Sequence, residues 1–453
     1  MELQHSRLNK AGRMIIAAIA ILTLFAIVIG KIIFTSKLHP FFYGYGITVT
    51  ALVLFTFLIT FIKYRDPVIT ARNKSKNYNS NPLVSCVLGV YNEEKIITKC
   101  IDSLIASTYK NREIIIVNDA STDNTKKVLE KYSKYPGVKI INLEKNIGKK
   151  KAIGQGLRIA KGEIFVFTDS DSVLAPDAIE KIIDVFVSDP SVGAVSGHGR
   201  ALNANENLLT KIQDSWYETQ FSVEKALESI YGSVSCVSGP LAVFRRSAIY
   251  NYIPAWEADT FLGQEFRFAT DRQLTGYVLG SQYIGDKLKK KYANSPFVKG
   301  ENYPTRDWNV VYCNSAKVWT VVPNTFKKLV RQHIRWKKSF IRNLFFTGTF
   351  YWRKPIIPSL KYYLGALFTI LGPFIVLRHL IYLPINGDAL SGIYYLSGIL
   401  FIGALYGLAF KINNPKSSAW IYRPFMSVIS TLTLSWLIFY SLITINSNVW
   451  YRG

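Results

Sequence analysis

The chain has 453 residues, 49% of them apolar and 14% aromatic, and carries 55 Lys and Arg against 30 Asp and Glu. A net charge of +25 favours anionic partners: nucleic acid, acidic lipid headgroups or phosphorylated substrates. Four cysteines (Cys86, Cys100, Cys236, Cys313) without CxxC spacing and five scattered histidines argue against a disulfide framework, a zinc site and a His-based metal centre.

In chain order, a basic stub (Arg7, Lys10, Arg13) precedes an uncharged run over 14–30, and a second run covers 41–62. A bilayer core needs about 20 apolar residues in a helix. With no small-residue cleavage site after the first run, the pair is expected to form a membrane hairpin and not a cleaved signal. The stub and "KYRDPVITARNKSK" (63–76) are rich in Lys and Arg, which places both on the cytoplasmic side. Residues 80 to about 350 are then cytoplasmic.

From residue 83 short β-branched runs alternate with helical stretches. Strands are expected over 83–92, 112–121, 138–146 and 163–171, and helices near 93–107, 124–136 and 149–160. This alternation implies a doubly wound, Rossmann-like α/β sheet. Ligands bind such sheets at the carboxyl ends of their strands, here Asn92 and Glu93, Asp119 and Ser121, and Asp169 and Asp171. Two carboxylates one residue apart after "FVFT" suit a hard divalent cation, Mg²⁺ or Mn²⁺. The following-helix start in "NIGKKKAIGQGL" (146–157) combines Gly148 with lysines, a setting for phosphate. GxGxxG is missing after the first strand, and GxxxxGK[ST] is missing from the region. A dinucleotide enzyme and a P-loop NTPase are thereby disfavoured.

Three more apolar runs, 362–377, 389–410 and 424–451, close the chain. Before them lies "KKLVRQHIRWKKSFIRN" (327–343), read as a basic amphipathic helix at the membrane surface.

Six ordered stretches carry a resemblance: "SCVLGVYNEE", "IVNDASTDNT", "NIGKKKA", "FTDSDS", "SCVSGPLAVFRRSAI" with "FLGQEFRFATDRQLTGYVL", and "RQHIRWKKSF". Together, from about residue 83 to the end, they resemble processive, membrane-embedded family-2 glycosyltransferases of GT-A fold. The resemblance is greatest to class I hyaluronan synthases and extends to the chitin-oligosaccharide synthases of nodulation. It implies a processive, inverting β-glycosyltransferase that polymerises UDP-GlcNAc and UDP-GlcA and exports the polysaccharide. The alternatives are a chitin or poly-GlcNAc synthase using UDP-GlcNAc only, and a non-processive transferase acting on a lipid carrier. A third reading is a non-enzymatic scaffold that uses an inactive transferase fold.

The resemblance also implies roles. Tyr91, Glu93 and Asp119 would hold the nucleotide; Asp169 and Asp171 the metal and diphosphate; Lys149 and Lys150 the phosphate or donor sugar. Cys236, Ser238, Gly239 and Pro240 would shape the acceptor pocket. Asp271 would be the general base, with Arg272 beside it. Gln332, Arg335 and Trp336 would close the site, Arg335 towards the pyrophosphate and Trp336 against the acceptor sugar. Trp450 and Arg452 would belong to a gating tail. The sequence departs from the family where G-D/E-D-R becomes Ala269-Thr270-Asp271-Arg272, and where Tyr451 replaces a glycine. Residues 287–309 look like an insertion, and His198 in "SGHGR" reads as structural.

The expected organisation is a membrane hairpin (1–65), a cytoplasmic GT-A domain (80–322), interfacial helices (323–355) and a channel region with gating tail (356–453). Five full spans would leave that tail outside. Four spans are therefore expected, with 424–446, opened by Pro424 and rich in Ser and Thr, lining a channel or lying at the interface. The expected partners are the two UDP-sugars, the growing polysaccharide and membrane lipids, with no nucleic acid. The expected location is the plasma membrane, multi-pass.

Overall fold

The computed structural model describes residues 40–75 and 80–447, together with positions 18, 19, 21, 22, 25, 26 and 29. The apolar run 14–30 falls mostly outside the described residues. Trp450 and Arg452 lie wholly outside them.

The four expected strands form as β1 (Val84–Val90), β2 (Arg112–Asn118), β3 (Val138–Asn142) and β4 (Ile164–Phe167). Later come β5 (Ser172–Leu174), β6 (Val192–Ala201), β7 (Ala242–Arg245) and β10 (Asn309–Thr320); β8 (Thr260–Phe261) and β9 (Gln264–Glu265) form a separate ribbon. The main sheet has eight strands in the order β3-β2-β1-β4-β7-β6-β10-β5. The β3-β2-β1-β4 half is parallel, and β7 runs antiparallel to both β4 and β6. Near-continuous apolar runs suit strands buried on both faces. Alternate residues point to opposite faces. Val87, Ile115, Val117 and Phe165 therefore enter one core, and Cys86, Leu88, Ile116 and Val166 the other. Helix Lys149–Ile159 covers the first face through Ile153 and Leu157. Helices Ile97–Ile105 and Ala178–Ser188 cover the second through Ile101, Leu104, Ile182 and Phe186.

The chain turns sharply where this sheet meets the site. Asn92 (φ 54°), Ala120 (φ 56°) and Ala269 (φ 63°) all occupy the left-handed region, which costs an L-residue about 1–2 kcal/mol. Such strain collects at functional sites. Here two of the three residues lie two positions past the ends of β1 and β2.

Among the described residues three helical stretches are long and apolar enough to cross a membrane: Gly44–Asn73, Ile356–Ile385 and Leu390–Asn413. The last apolar run is not one straight helix. Ala419–Leu432 and Leu434–Ile443 meet at a 43° bend. Residues 287–309 are packed into the domain: Phe297 and Trp308 are buried, and Asn251 Nδ2 donates to the Phe297 carbonyl at 2.7 Å.

Helix Phe326–Phe346 forms, but its cations turn inward. Lys338 donates to the Ser447 carbonyl at 2.8 Å, and Arg342 is buried against Asp259 at 2.5 Å. Lys328, Arg331, Arg335 and Lys337 line the central cavity. Lys327 is exposed. The helix is amphipathic, and much of its charged side faces a polar interior.

Candidate active site

A cavity of about 2250 Å³ starts at the strand ends and continues between the apolar helices, where Phe42, Phe368 and Tyr394 line it. A large concavity with convergent polar groups is the default site of binding. Asp169, Asp171 and Asp271 all line this one space.

The turn after β4 presents the first two. Thr168 Oγ1 donates to the Pro240 carbonyl at 2.7 Å, and the Ser172 N–H closes the turn on the Asp169 carbonyl at 3.0 Å. Thr320 Oγ1 donates to Asp171 at 3.1 Å, and the Lys149 ammonium is ion-paired with Asp169. Burial, then the charge of Asp169, pushes the Asp171 carboxyl up to about 6. Two hard oxygen donors that repel one another in a half-buried pocket fit a divalent cation, which would relieve the repulsion. Among the described residues no cluster of three or more His, Cys, Asp or Glu is arranged to hold a metal. These two carboxylates therefore suit an ion that completes its shell with phosphate oxygens and water, as Mg²⁺ commonly does.

Asp271 sits in the first turn of helix Thr270–Lys291, where the helix dipole favours a carboxylate. Its Oδ2 accepts the Gly239 N–H at 2.9 Å, and its Oδ1 accepts the Arg272 N–H at 2.9 Å. The Cys236 thiol lies 3.9 Å from Oδ2. Gly239 joins the two carboxylate groups: its N–H holds Asp271, and a Cβ on it would come within 2.9 Å of Asp169 Oδ2. Only glycine allows that approach without displacing Asp169. Ser238 and Pro240 line the cavity beside it.

Helix Phe326–Phe346 supplies the opposite wall with Gln332, Arg335 and Trp336. Burial pushes the Arg335 guanidinium down, while Asp169 and Asp171 pull against that shift, so Arg335 faces the paired aspartates. The Trp336 indole stacks on Trp216 at 5.9 Å and meets His333 edge-on at 4.9 Å. An aromatic neighbourhood thus fixes a flat apolar surface at the cavity wall.

Not every expected residue reaches this space. Lys149 lines the cavity, but Lys150 is buried away from it, on Asp259 at 2.7 Å, Gln273 at 2.7 Å and the Phe266 carbonyl at 2.9 Å. Successive helix residues point about 100° apart, which separates the two lysines. The Asp119 carboxylate accepts the N–H groups of Ile147 at 2.7 Å and Gly148 at 2.9 Å, so it builds the turn that starts helix Lys149–Ile159. Tyr91 and Glu93 line the cavity mouth, and Ser170 Oγ donates to Glu93 at 3.2 Å. His198 is buried between Glu218 (2.9 Å) and Tyr312 (2.5 Å), and burial lowers its imidazole to about 4. Sequence reasoning missed Lys225 and Lys337, which also line the cavity. Lys337 directly follows Trp336, a signal that went unused. Lys225 ends a π-helical turn, Gln220–Lys225, which shifts the register of the wall.

Residues 85–253 match the family described as glycosyl transferase family 2. The hyaluronan synthase of Streptococcus pyogenes is 27% identical over 375 residues, which cover 81% of this chain and 82% of that protein. An N-acetylglucosaminyltransferase of Rhizobium meliloti is 29% identical over 306 residues, covering 66% of each chain. A mannosyltransferase from Pyrobaculum calidifontis, solved in complex with GDP-Man and Mn²⁺, aligns over 89% of this chain and 99% of its own. Its TM-score is 0.51 and its identity 18%, a likeness of fold alone.

Proposed function

From the premise that this chain carries a family 2 glycosyltransferase domain of GT-A fold and is a glycosyltransferase, we propose that it polymerises UDP-GlcNAc and UDP-GlcA into a hyaluronan-type polysaccharide. The observation that carries this reading is the shared crevice of Asp169, Asp171 and Asp271, which opens into a cavity running between apolar helices. A site for one small acceptor has no use for so long a space; a polymer leaving as it grows does.

Asp169 and Asp171 would hold Mg²⁺ or Mn²⁺. Such an ion, when bound, stabilises charge growing on the UDP leaving group. Lys149 and Arg335 add fixed positive charge on the same side. Asp271 accepts the proton of the acceptor hydroxyl as that oxygen attacks the anomeric carbon, and the Gly239 N–H holds the carboxylate in place. The anomeric carbon–diphosphate bond breaks as the new bond forms, so a single displacement inverts the centre to a β-linkage. Trp336 gives the acceptor sugar its platform. The domain reading is a cytoplasmic catalytic unit over 80–322, with the export path in 356–453 and the whole chain multi-pass in the plasma membrane.

The 29% likeness to an N-acetylglucosaminyltransferase favours one second reading, a poly-GlcNAc or chitin-type synthase. Purified protein with Mn²⁺ and each UDP-sugar alone, then both together, decides between them. Long product only with both donors is expected. Long product from UDP-GlcNAc alone rejects the hyaluronan reading, and one-sugar additions reject processivity.

A further inference from the structure

Beside Asp271 the cavity wall carries more positive charge than the transfer reaction explains. The Lys225 ammonium donates to the Cys236 carbonyl, and the Cys236 thiol lies 3.9 Å from Asp271 Oδ2. Arg272 follows Asp271, and Lys337 follows Trp336; Lys225, Arg272 and Lys337 all line the cavity. The nearby glutamates neutralise them only in part. Glu224 and Glu228 are already ion-paired with Lys361, at 3.0 and 3.3 Å. Among the described residues neither the Arg272 guanidinium nor the Lys337 ammonium has a side-chain hydrogen bond or ion pair. Four cations, Lys361 included, thus face three carboxylates in a half-buried space. Such an excess is costly without an anionic occupant.

The diphosphate does not account for it. Arg335 and Lys149 already face Asp169 and Asp171. Lys225 instead holds the Cys236 carbonyl beside Asp271, and Arg272 adjoins Asp271 in the first turn of its helix. Lys337 feels Arg272, and burial lowers it to about 8. The cluster therefore lies on the acceptor side of the reacting centre, next to the Trp336 platform.

We propose that Lys225, Arg272 and Lys337 form a carboxylate-binding subsite that recognises a uronate at the acceptor end of the growing chain. This rests on the reading that the product contains glucuronate. A uronate carboxylate lies at one edge of its sugar ring. Gripping it would orient the ring on Trp336 and turn one hydroxyl towards Asp271. The subsite would thus separate two acceptor states, uronate-ended and amino-sugar-ended, and help enforce alternation.

The test uses the purified full-length protein with Mn²⁺ and labelled UDP-GlcNAc. Acceptors are hyaluronan oligosaccharides ending in glucuronate, or the same oligosaccharides with that terminal carboxylate as its methyl ester. The wild type is expected to prefer the free carboxylate in kcat/KM by at least about tenfold, the worth of one charge-assisted hydrogen bond. In Lys225→Met and Lys337→Gln the preference should fall towards one, while Lys225→Arg and Lys337→Arg keep it. Either lysine suffices if the other variant fails to fold. Equal use of acid and ester by the wild type overturns the proposal, as does an undiminished preference in both variants. A rise in the KM for UDP-GlcNAc with the preference intact assigns the cluster to the diphosphate and overturns it too. Long product from UDP-GlcNAc alone removes the hyaluronan reading, and this inference with it. Mixed product with no acid-over-ester preference removes this inference alone.

Discussion

At the scale of single residues, the site depends on close approaches that few side chains permit. Asp271 is placed by two backbone N–H groups, one on each carboxylate oxygen, so an amide of the same shape keeps only one of the two bonds. Asp271→Asn is expected to lower transfer about 10²–10⁴-fold with a melting temperature lowered by the lost bond alone, measured as labelled sugar incorporated and as thermal unfolding of the same preparation. An inactive scaffold would show no loss. Ala269 makes the opposite case: it holds φ 63° with an ordinary Cβ. Its family position is a glycine, which adopts this region without strain. Ala269→Gly is expected to raise stability by up to about 1 kcal/mol, read as a higher melting temperature. A lower one would mean that the Ala269 methyl packing outweighs the strain.

Elements carry the next level, and here legibility from sequence was uneven. The strands were readable because β1, β2 and β4 are apolar runs ended by Tyr91, Asp119 and Asp169, so the change of texture marks both the sheet and its functional edge. Helix Phe326–Phe346 was readable as a helix, but the partners of its cations were not. An amphipathic pattern separates charged from apolar faces without saying what either face meets, and here the charges meet a polar cavity. The partners of Asp119 and Lys150 were hidden for a related reason. Both sit beside site residues in sequence, yet hydrogen bonds to Ile147 and Gly148, and to Asp259, direct them into the framework. The π-helical turn at Gln220–Lys225 has no sequence signature, so Lys225 was not found.

The His198 contact ties β6 to helix Leu208–Thr219 and to β10, which gives an element-level expectation. Burial lowers the folded imidazole to about 4 from an unfolded value of 6.5. Between those values the unfolded chain binds more protons, so stability rises with pH there and is lost as pH falls from 6.5 towards 4. Glu218, held down in the fold although burial opposes it, with His198 as the leading favourable partner, adds in the same direction. Melting temperature followed from pH 7 to 4 should fall over that window, and less steeply in His198→Gln. A flat profile would mean that the buried pair takes up its proton without unfolding.

On the scale of the whole molecule, the proposed function has the cavity tie transfer to export. Gly372, in helix Ile356–Leu377, lines it, and a Cβ there meets nothing within 4 Å. Gly372→Trp is expected to shorten the polymer while UDP release continues at first, with product length on a gel as the measurement. Full-length product would place the exit path elsewhere. The central claim is that one crevice holds the donor's diphosphate on a cation and presents the acceptor to Asp271. The most direct measurement is a structure of the full chain with Mn²⁺ and UDP. It should show the ion between Asp169 and Asp171, with the β-phosphate between Arg335 and the Asp271 side of the cavity. An ion bound elsewhere, or a diphosphate turned away from Asp271, would contradict the account.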